Sequence, residues 1–166
     1  MTATTLYESR WFSIRTDAIG VEFVATTGDE VLVVPLTDKG EVLLAIEPSP
    51  AFGIPVHVLP GGQVEHGLSL AEVANKELRE EIGYVAGRLD YLGELWPWSK
   101  YLAVRSHLFL ARELMPSKLA GDEAYLIEVE RMPQASLEEW IANGRLHDAR
   151  TIAGLCLVRA FLRDKG

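Results

Sequence analysis

Short alternating runs of apolar and polar residues flank one stretch of helical periodicity in this chain, and that contrast organises everything else. Residues 7–24 (YESRWFSIRTDAIGVEFV) alternate as two strands should, with a turn around Asp17 to Gly20. Trp11 and Phe12 fall in this segment, as core or as interface; the pattern does not separate the two. Glu30–Pro35 and Glu41–Ile46 are β-branched apolar runs, and Asp38-Lys39-Gly40 between them predicts a hairpin turn. The segment EPSPAFGIPVHVLPGG carries four prolines and cannot be helical; it predicts a loop and then an edge strand over Val56–Leu59. His57 alternates with apolar neighbours there and is expected to face solvent. Further strands are predicted at Leu89–Leu95, at Arg105–Ala111, with His107 as a packed residue, and at Tyr125–Arg131. Ser136 to Ile141 predicts a short helix opened by a Ser136–Glu139 capping box. Asp148 caps a last helix, Ala149–Arg163, with Ile152, Leu155, Val158, Ala160 and Leu162 as its apolar face.

The helical stretch lies inside Pro60–Tyr84, PGGQVEHGLSLAEVANKELREEIGY. Ser69 with Glu72 three residues later is a capping box, so the helix starts near Leu70, and Gly83 ends it in a left-handed cap. At about 100° per residue, Ala71, Ala74, Leu78 and Ile82 form a core-facing stripe, while Glu72, Lys76 and Arg79 point to water. Glu77, Glu80 and Glu81 share a third face beside the core edge. Three carboxylates on one turn repel one another. A hard divalent cation favours such an arrangement, since it takes carboxylate oxygens and completes its shell with waters and substrate phosphates. A solvated acidic stripe is the alternative on periodicity alone.

Composition narrows the choice. The 166 residues carry a net charge of −8, and 48% of them are hydrophobic, enough for one domain with a sizeable core. An acidic surface disfavours nucleic-acid binding, which needs clustered Lys and Arg. An acidic protein that acts on an anionic substrate needs cations at its site. No apolar run reaches transmembrane length, and no charged-then-apolar signal pattern opens the chain, so no membrane partner and a cytoplasmic location are expected. The single cysteine, Cys156, sits in an apolar helical pattern and is expected to fill core. Trp96, Trp98 and Tyr101 in the loop WPWSKYL suit stacking on a nucleobase, or else cap the end of the core.

Gly62, fifteen residues before Glu77, and the run Lys76-Glu77-Leu78-Arg79-Glu80-Glu81-Ile82-Gly83-Tyr84 together resemble the signature of Nudix hydrolases. The spacing from Gly62 to Tyr84 fits without a gap. Leu68 stands where the family has Glu, and Lys76 where it has Arg, so both members of a pair that steadies the helix differ here. Lys76 is therefore expected to lean on Glu72 or Glu80, and Leu68 to bury against its loop. The resemblance implies one α/β domain over 1–166, an α/β/α sandwich with a mixed sheet, with residues 1–28 as an antiparallel strand extension. It implies a hydrolase that cleaves the pyrophosphate bond of a nucleoside diphosphate joined to another group, such as ADP-ribose, another ADP-sugar or NADH, giving AMP and a phosphorylated product. Mg²⁺ is the implied ion and Mn²⁺ its substitute, held by the Gly61 carbonyl, Glu77 and Glu81, with Glu80 as a further ligand or orienter. Lys76 steadies a Glu carboxylate, and Glu123, beside Asp122 in a glycine-hinged loop, activates water. Trp96, Trp98 and Tyr101 are the candidate substrate contacts. The N-terminal strands and DARTIAGLCLVRAFL resemble the ADP-ribose and ADP-compound pyrophosphatase branch, which implies a homodimer. Two features depart from that branch: Ser99 and Lys100 replace its downstream proline, and Ile46-Glu47-Pro48 replaces its basic residues. A Nudix-fold binding module without turnover is disfavoured by the intact Glu cluster, and a nucleoside triphosphate pyrophosphohydrolase by the N-terminal strands.

Overall fold

The structure is a computed structural model that describes residues 3–121 and 125–164. Its N-terminal strands β1 (Thr4–Glu8), β2 (Phe12–Thr16) and β3 (Glu22–Thr26) form an antiparallel meander. Asp17 makes the second turn, its Oδ1 accepting the N–H groups of Ile19 at 3.0 Å and Val21 at 2.9 Å. Three strands therefore stand where the alternation predicts two. The additional turn is closed by the Ser9 hydroxyl, which accepts from Trp11 and Phe12, and Glu-Ser-Arg-Trp lacks the Gly or Pro that would mark it.

The body follows as β4 (Glu30–Pro35), β5 (Glu41–Ser49), β6 (Ile54–Val58), β7 (Gly61–Gln63), helix α1 (Leu70–Glu77), β8 (Tyr84–Leu95), β9 (Leu102–Ala103), β10 (Ser106–Pro116), β11 (Glu128–Pro133), α2 (Leu137–Ala142) and α3 (Ala149–Asp164). One sheet has the order β7-β4-β10-β8, mixed because β4 and β10 run parallel. A second has the order β11-β5-β6 and is antiparallel, and β9 joins the N-terminal meander beside β3. The chain passes from one sheet to the other at Leu59–Pro60, between β6 and β7. That bend is held from the opposite layer: the Leu59 N–H donates to Thr151 Oγ1 at 3.1 Å, and Asp148 Oδ1 accepts from the Thr151 N–H and hydroxyl, each at 2.8 Å.

β4 is buried along almost its whole length because both its faces are covered. Val31 and Val33 pack with Val73, Ala74, Leu78 and Ile82 of the α1 segment, while Leu32 and Val34 pack with Leu137, Trp140, Leu155 and Val158 of α2 and α3. This is the expected α/β/α sandwich with a mixed sheet. Among the described residues no helix is long and apolar enough to cross a membrane.

Several local expectations change. Ala71 is exposed, and Val73 takes its place in the buried stripe. Cys156 is exposed on α3, whose buried face is instead Thr151, Gly154, Leu155 and Val158. Ser136 makes no side-chain cap bond, and α2 starts at Leu137 after a tighter turn over Gln134–Ser136. His57 does not face solvent: its Nε2 lies 2.7 Å from Glu130 and its Nδ1 3.0 Å from the Arg145 carbonyl, with the ring edge-on to Trp140. Arg145 also reaches Glu130 and lies over Trp140, 3.8 Å from the ring centroid, so this cluster ties the α2–α3 connection to the β11-β5-β6 sheet.

Candidate active site

The site is built on α1 and the glycine strand it faces. The capping box forms as the sequence predicts, with Ser69 accepting from the Glu72 N–H and Glu72 reaching back to the Ser69 N–H at 2.8 Å. From Leu78 to Ile82 the helix widens into a π turn, closed where the Gly83 N–H donates to the Leu78 carbonyl five residues back. Gly83 has φ 78°, the left-handed geometry expected of it. The freed carbonyls of the last turn find partners on the segment after β10: Lys118 Nζ reaches the Glu80 carbonyl, and the Leu119 N–H donates to the Arg79 carbonyl at 3.0 Å. Arg79 itself donates from Nε to Ser117 Oγ at 3.0 Å, so it is occupied with this segment and does not point freely to water.

Glu77 and Glu81 are almost fully withdrawn from water, at 7% and 4% exposure. Both lie against β7. The Gly61 N–H points at the Glu81 carboxylate, 3.3 Å from Oε2. A Cβ at Gly62 would fall within 2.6 Å of the Glu77 carboxyl carbon, and one at Gly61 would overlap the Val31 carbonyl. Only glycines let the strand come this close. Glu80 is turned elsewhere: Lys76 Nζ lies 2.7 Å from its Oε2, on the same helix four residues away.

Lys76 has a second partner that the sequence does not single out. Glu65, in the loop before α1, lies 2.9 Å from the same ammonium. The hydrogen bonds to Glu80 and Glu65 hold Lys76 well above the ordinary lysine range. Leu68, expected to bury, is 38% exposed and stays outside the core. The loop-to-helix tie is thus charged, as in the family pattern, with its carboxylate three residues earlier. The signal for it is an unassigned acid in a Gly-containing loop, but register alone does not say which loop side chain reaches the helix.

Among the described residues no three His, Cys, Asp or Glu side chains are gathered closely enough to enclose a metal ion. The donor set fits a hard divalent cation nonetheless. Two buried carboxylates and the backbone of a Cβ-free strand supply part of an oxygen shell, and Mg²⁺ keeps waters and takes substrate phosphates for the rest. Asp122 and Glu123 lie outside the described residues.

The aromatic loop lies beside the N-terminal meander. Trp96 donates from Nε1 to Glu94 at 2.9 Å, Trp98 and Tyr101 stack edge-on at 5.1 Å, and Leu102–Ala103 pairs with β3 of the meander. Trp96 rims a hollow of about 390 Å³ whose other walls are Asp29, Ser99 and residues 102–105. His107, half-buried on β10, bonds Tyr91 and lies beside Asp29.

The chain is similar to several known proteins. The NUDIX domain model matches residues 26–155, beginning where the N-terminal meander ends. ADP compounds hydrolase NudE of Escherichia coli (strain K12) is 30% identical over 143 residues, covering 85% of this chain and 75% of that protein. ADP-ribose pyrophosphatase of Bacillus subtilis (strain 168) is 26% identical over 123 residues, covering 73% of this chain and 66% of that protein. A crystal structure of an ADP compounds hydrolase superimposes with a TM-score of 0.85 at 27% identity, covering 100% of this chain and 94% of that one.

Proposed function

This chain belongs to the Nudix family and is a pyrophosphohydrolase, and we propose that it cleaves the pyrophosphate link of ADP compounds, such as ADP-ribose, another ADP-sugar or NADH, to AMP and a phosphorylated product. The observation that carries this reading is the pair of buried carboxylates, Glu77 and Glu81, pressed against a strand with no Cβ atoms. Two carboxylates held against a strand without Cβ atoms are oxygen donors of the kind a hard divalent cation takes. The substrate in turn carries a diphosphate whose charge must be offset before water can attack.

We assign Glu77, Glu81 and the Gly61 carbonyl to Mg²⁺. When bound, such an ion would supply positive charge to offset the diphosphate and to make water more acidic. Everything else falls to the chain's own groups. Buried carboxylates keep their geometry because α1 is fixed at both ends, by its capping box and by the Ser117–Leu119 segment. Lys76 holds Glu80 in one orientation while Glu65 holds Lys76. Glu123 follows Leu119 by four residues, and we assign it the role of water activator by resemblance.

Release of phosphate, coupled to a phosphatase, tests the reaction over ADP-ribose, ADP-glucose, NADH, diadenosine polyphosphates and nucleoside triphosphates. Turnover concentrated on the ADP compounds supports the reading. Turnover confined to nucleoside triphosphates, or none on any member of the panel with Mg²⁺ or Mn²⁺, overturns it.

A further inference from the structure

A cleft of about 650 Å³ opens between the β5–β6 hairpin and the start of α3, a volume suited to a small organic ligand. Its floor is apolar, with Ile54, Val56 and Val58 of β6, and Phe52 stands at its rim with 80% of its surface exposed. At its other end lie His147 and Arg150.

Strand register turns the β6 wall of this cleft to the catalytic side of the sheet. Val58 pairs with Ala45, which shares a face of β5 with Leu43, and Leu43 packs in the cluster under α1. Val56 and Val58 therefore look to the layer from which α1 presents Glu77 and Glu81. Only Leu59 and Pro60 separate Val58 from Gly61, so the two lie within about 10 Å of each other along the chain. The other wall comes from α3, where Arg150 Nη1 donates to both Glu30 oxygens at 2.9 Å, on the face of β4 that Leu32 and Val34 turn to α2 and α3.

The charges in the cleft indicate what kind of group it takes. Arg150 is matched by Glu30 and lies 3.5 Å from Asp148 as well, and Glu47, also lining the cleft, is an acid. Arg150, the one Lys or Arg among the described residues that line it, is thus not left free for a phosphate. An uncharged, flat, apolar-faced group with hydrogen-bonding edges fits these walls. We propose that the cleft is the subsite for the nucleobase and ribose of the substrate, with the base lying against Phe52 and the ribose towards the Arg150 end. This rests on the proposed function above for its link to catalysis, and it moves the base away from the Trp96–Tyr101 loop. That loop's hollow is smaller and belongs to the side where the meander joins the body.

Adenosine tests the subsite directly, because it binds without metal and without turnover. Titrated into the full chain labelled with ¹⁵N, it should shift the amides of Phe52, Ile54, Val56 and Ala149. Phe52→Ala should weaken its Kd at least fivefold, and Phe52→Tyr should retain the wild-type value. With ADP-ribose as substrate, the loss in Phe52→Ala should fall on KM and not on kcat. Shifts confined to the Trp96 and Trp98 indoles, or an unchanged Kd in Phe52→Ala, overturn the proposal. If adenosine shifts the cleft residues but the wild type turns over no ADP compound, the subsite stands and the proposed reaction falls.

Discussion

Glu77 and Glu81 show how far one residue's environment departs from its usual one, because glutamate rarely becomes fully buried unless something neutralises it. The Gly61 N–H contributes a donor to Glu81, and a glutamine in its place would keep an oxygen for that donor while losing the charge. Glu81→Gln should therefore lower kcat on an ADP compound by on the order of 100-fold or more, at least the upper end of what removing an outer-sphere partner of a metal costs. The same change removes one acidic group from the buried pair with Glu77, so the melting temperature measured in chelator should stay level or rise. Wild-type kcat for the variant at saturating Mg²⁺ would remove Glu81 from the metal site. The position of Glu81 is legible in the sequence alone, since Glu77, Glu80 and Glu81 are set by a gapless spacing from Gly62. The turning of Glu80 towards Lys76 is half legible: four-residue spacing offers both Glu72 and Glu80 as partners, and Glu72 is already spent on the Ser69 cap.

At the scale of the element, α1 is readable from its ends inward. Its cap residues carry local hydrogen bonds that need no tertiary context, whereas its flanks depend on what packs above them. Leu68 illustrates the difference. The pattern predicts that it is covered, but the loop brings Glu65 to Lys76 and leaves Leu68 outside, so Leu68→Glu should change stability by no more than about 0.5 kcal/mol. Ser136 fails as a capping box because a tight turn precedes α2 and sets its backbone away from cap geometry, and Cys156 fails as core because Gly154 and Thr151 take the buried positions on α3. The pair that does tie loop to helix, Glu65 with Lys76, is partly exposed on both sides, which limits its coupling to roughly 0.2–1 kcal/mol. A double-mutant cycle of Glu65→Gln and Lys76→Met, read by urea denaturation at low and high salt, should recover a coupling of that size that fades with salt. Since pairing raises Lys76, its contribution is fully present below the unfolded lysine value and is lost only as pH rises through the folded one. The coupling should then be flat from pH 6 to 9, and strict additivity at low salt would mean the loop is held some other way.

Across the whole molecule, two surfaces decide how the parts are joined. Inside, Glu130 connects β11 to His57 of β6 and to Arg145 between α2 and α3. Burial works against its charge, but the hydrogen bonds from His57 and Arg145 outweigh it and hold the carboxyl below the ordinary range. Its stabilising contribution is therefore present above the unfolded value of about 4.3 and is lost as pH falls through the lower folded value. Glu130→Gln should melt below wild type at pH 7, and the gap should close as pH falls below about 4; a gap independent of pH would make the effect one of shape. Outside, the N-terminal meander leaves Leu6, Tyr7 and Trp11 more than half exposed and Phe12 40% exposed, and its edge strand β1, which carries Leu6 and Tyr7, is exposed along its length. Leaving such surface in water forgoes about 25 cal/mol for each Å² of apolar area that could be buried, and a bare strand edge invites pairing. Arg10 covers only one side of Trp11, with its guanidinium 4.5 Å from the ring centroid. A second copy of the chain, meeting these residues with its own, is the partner expected from the branch resemblance. Light scattering at tens of micromolar should give twice the 18.4 kDa of one chain, and Trp11→Glu should shift the mass towards the monomer without lowering the melting temperature of the body. A wild-type mass of one chain would mean that the meander's apolar face is covered by something other than a second copy.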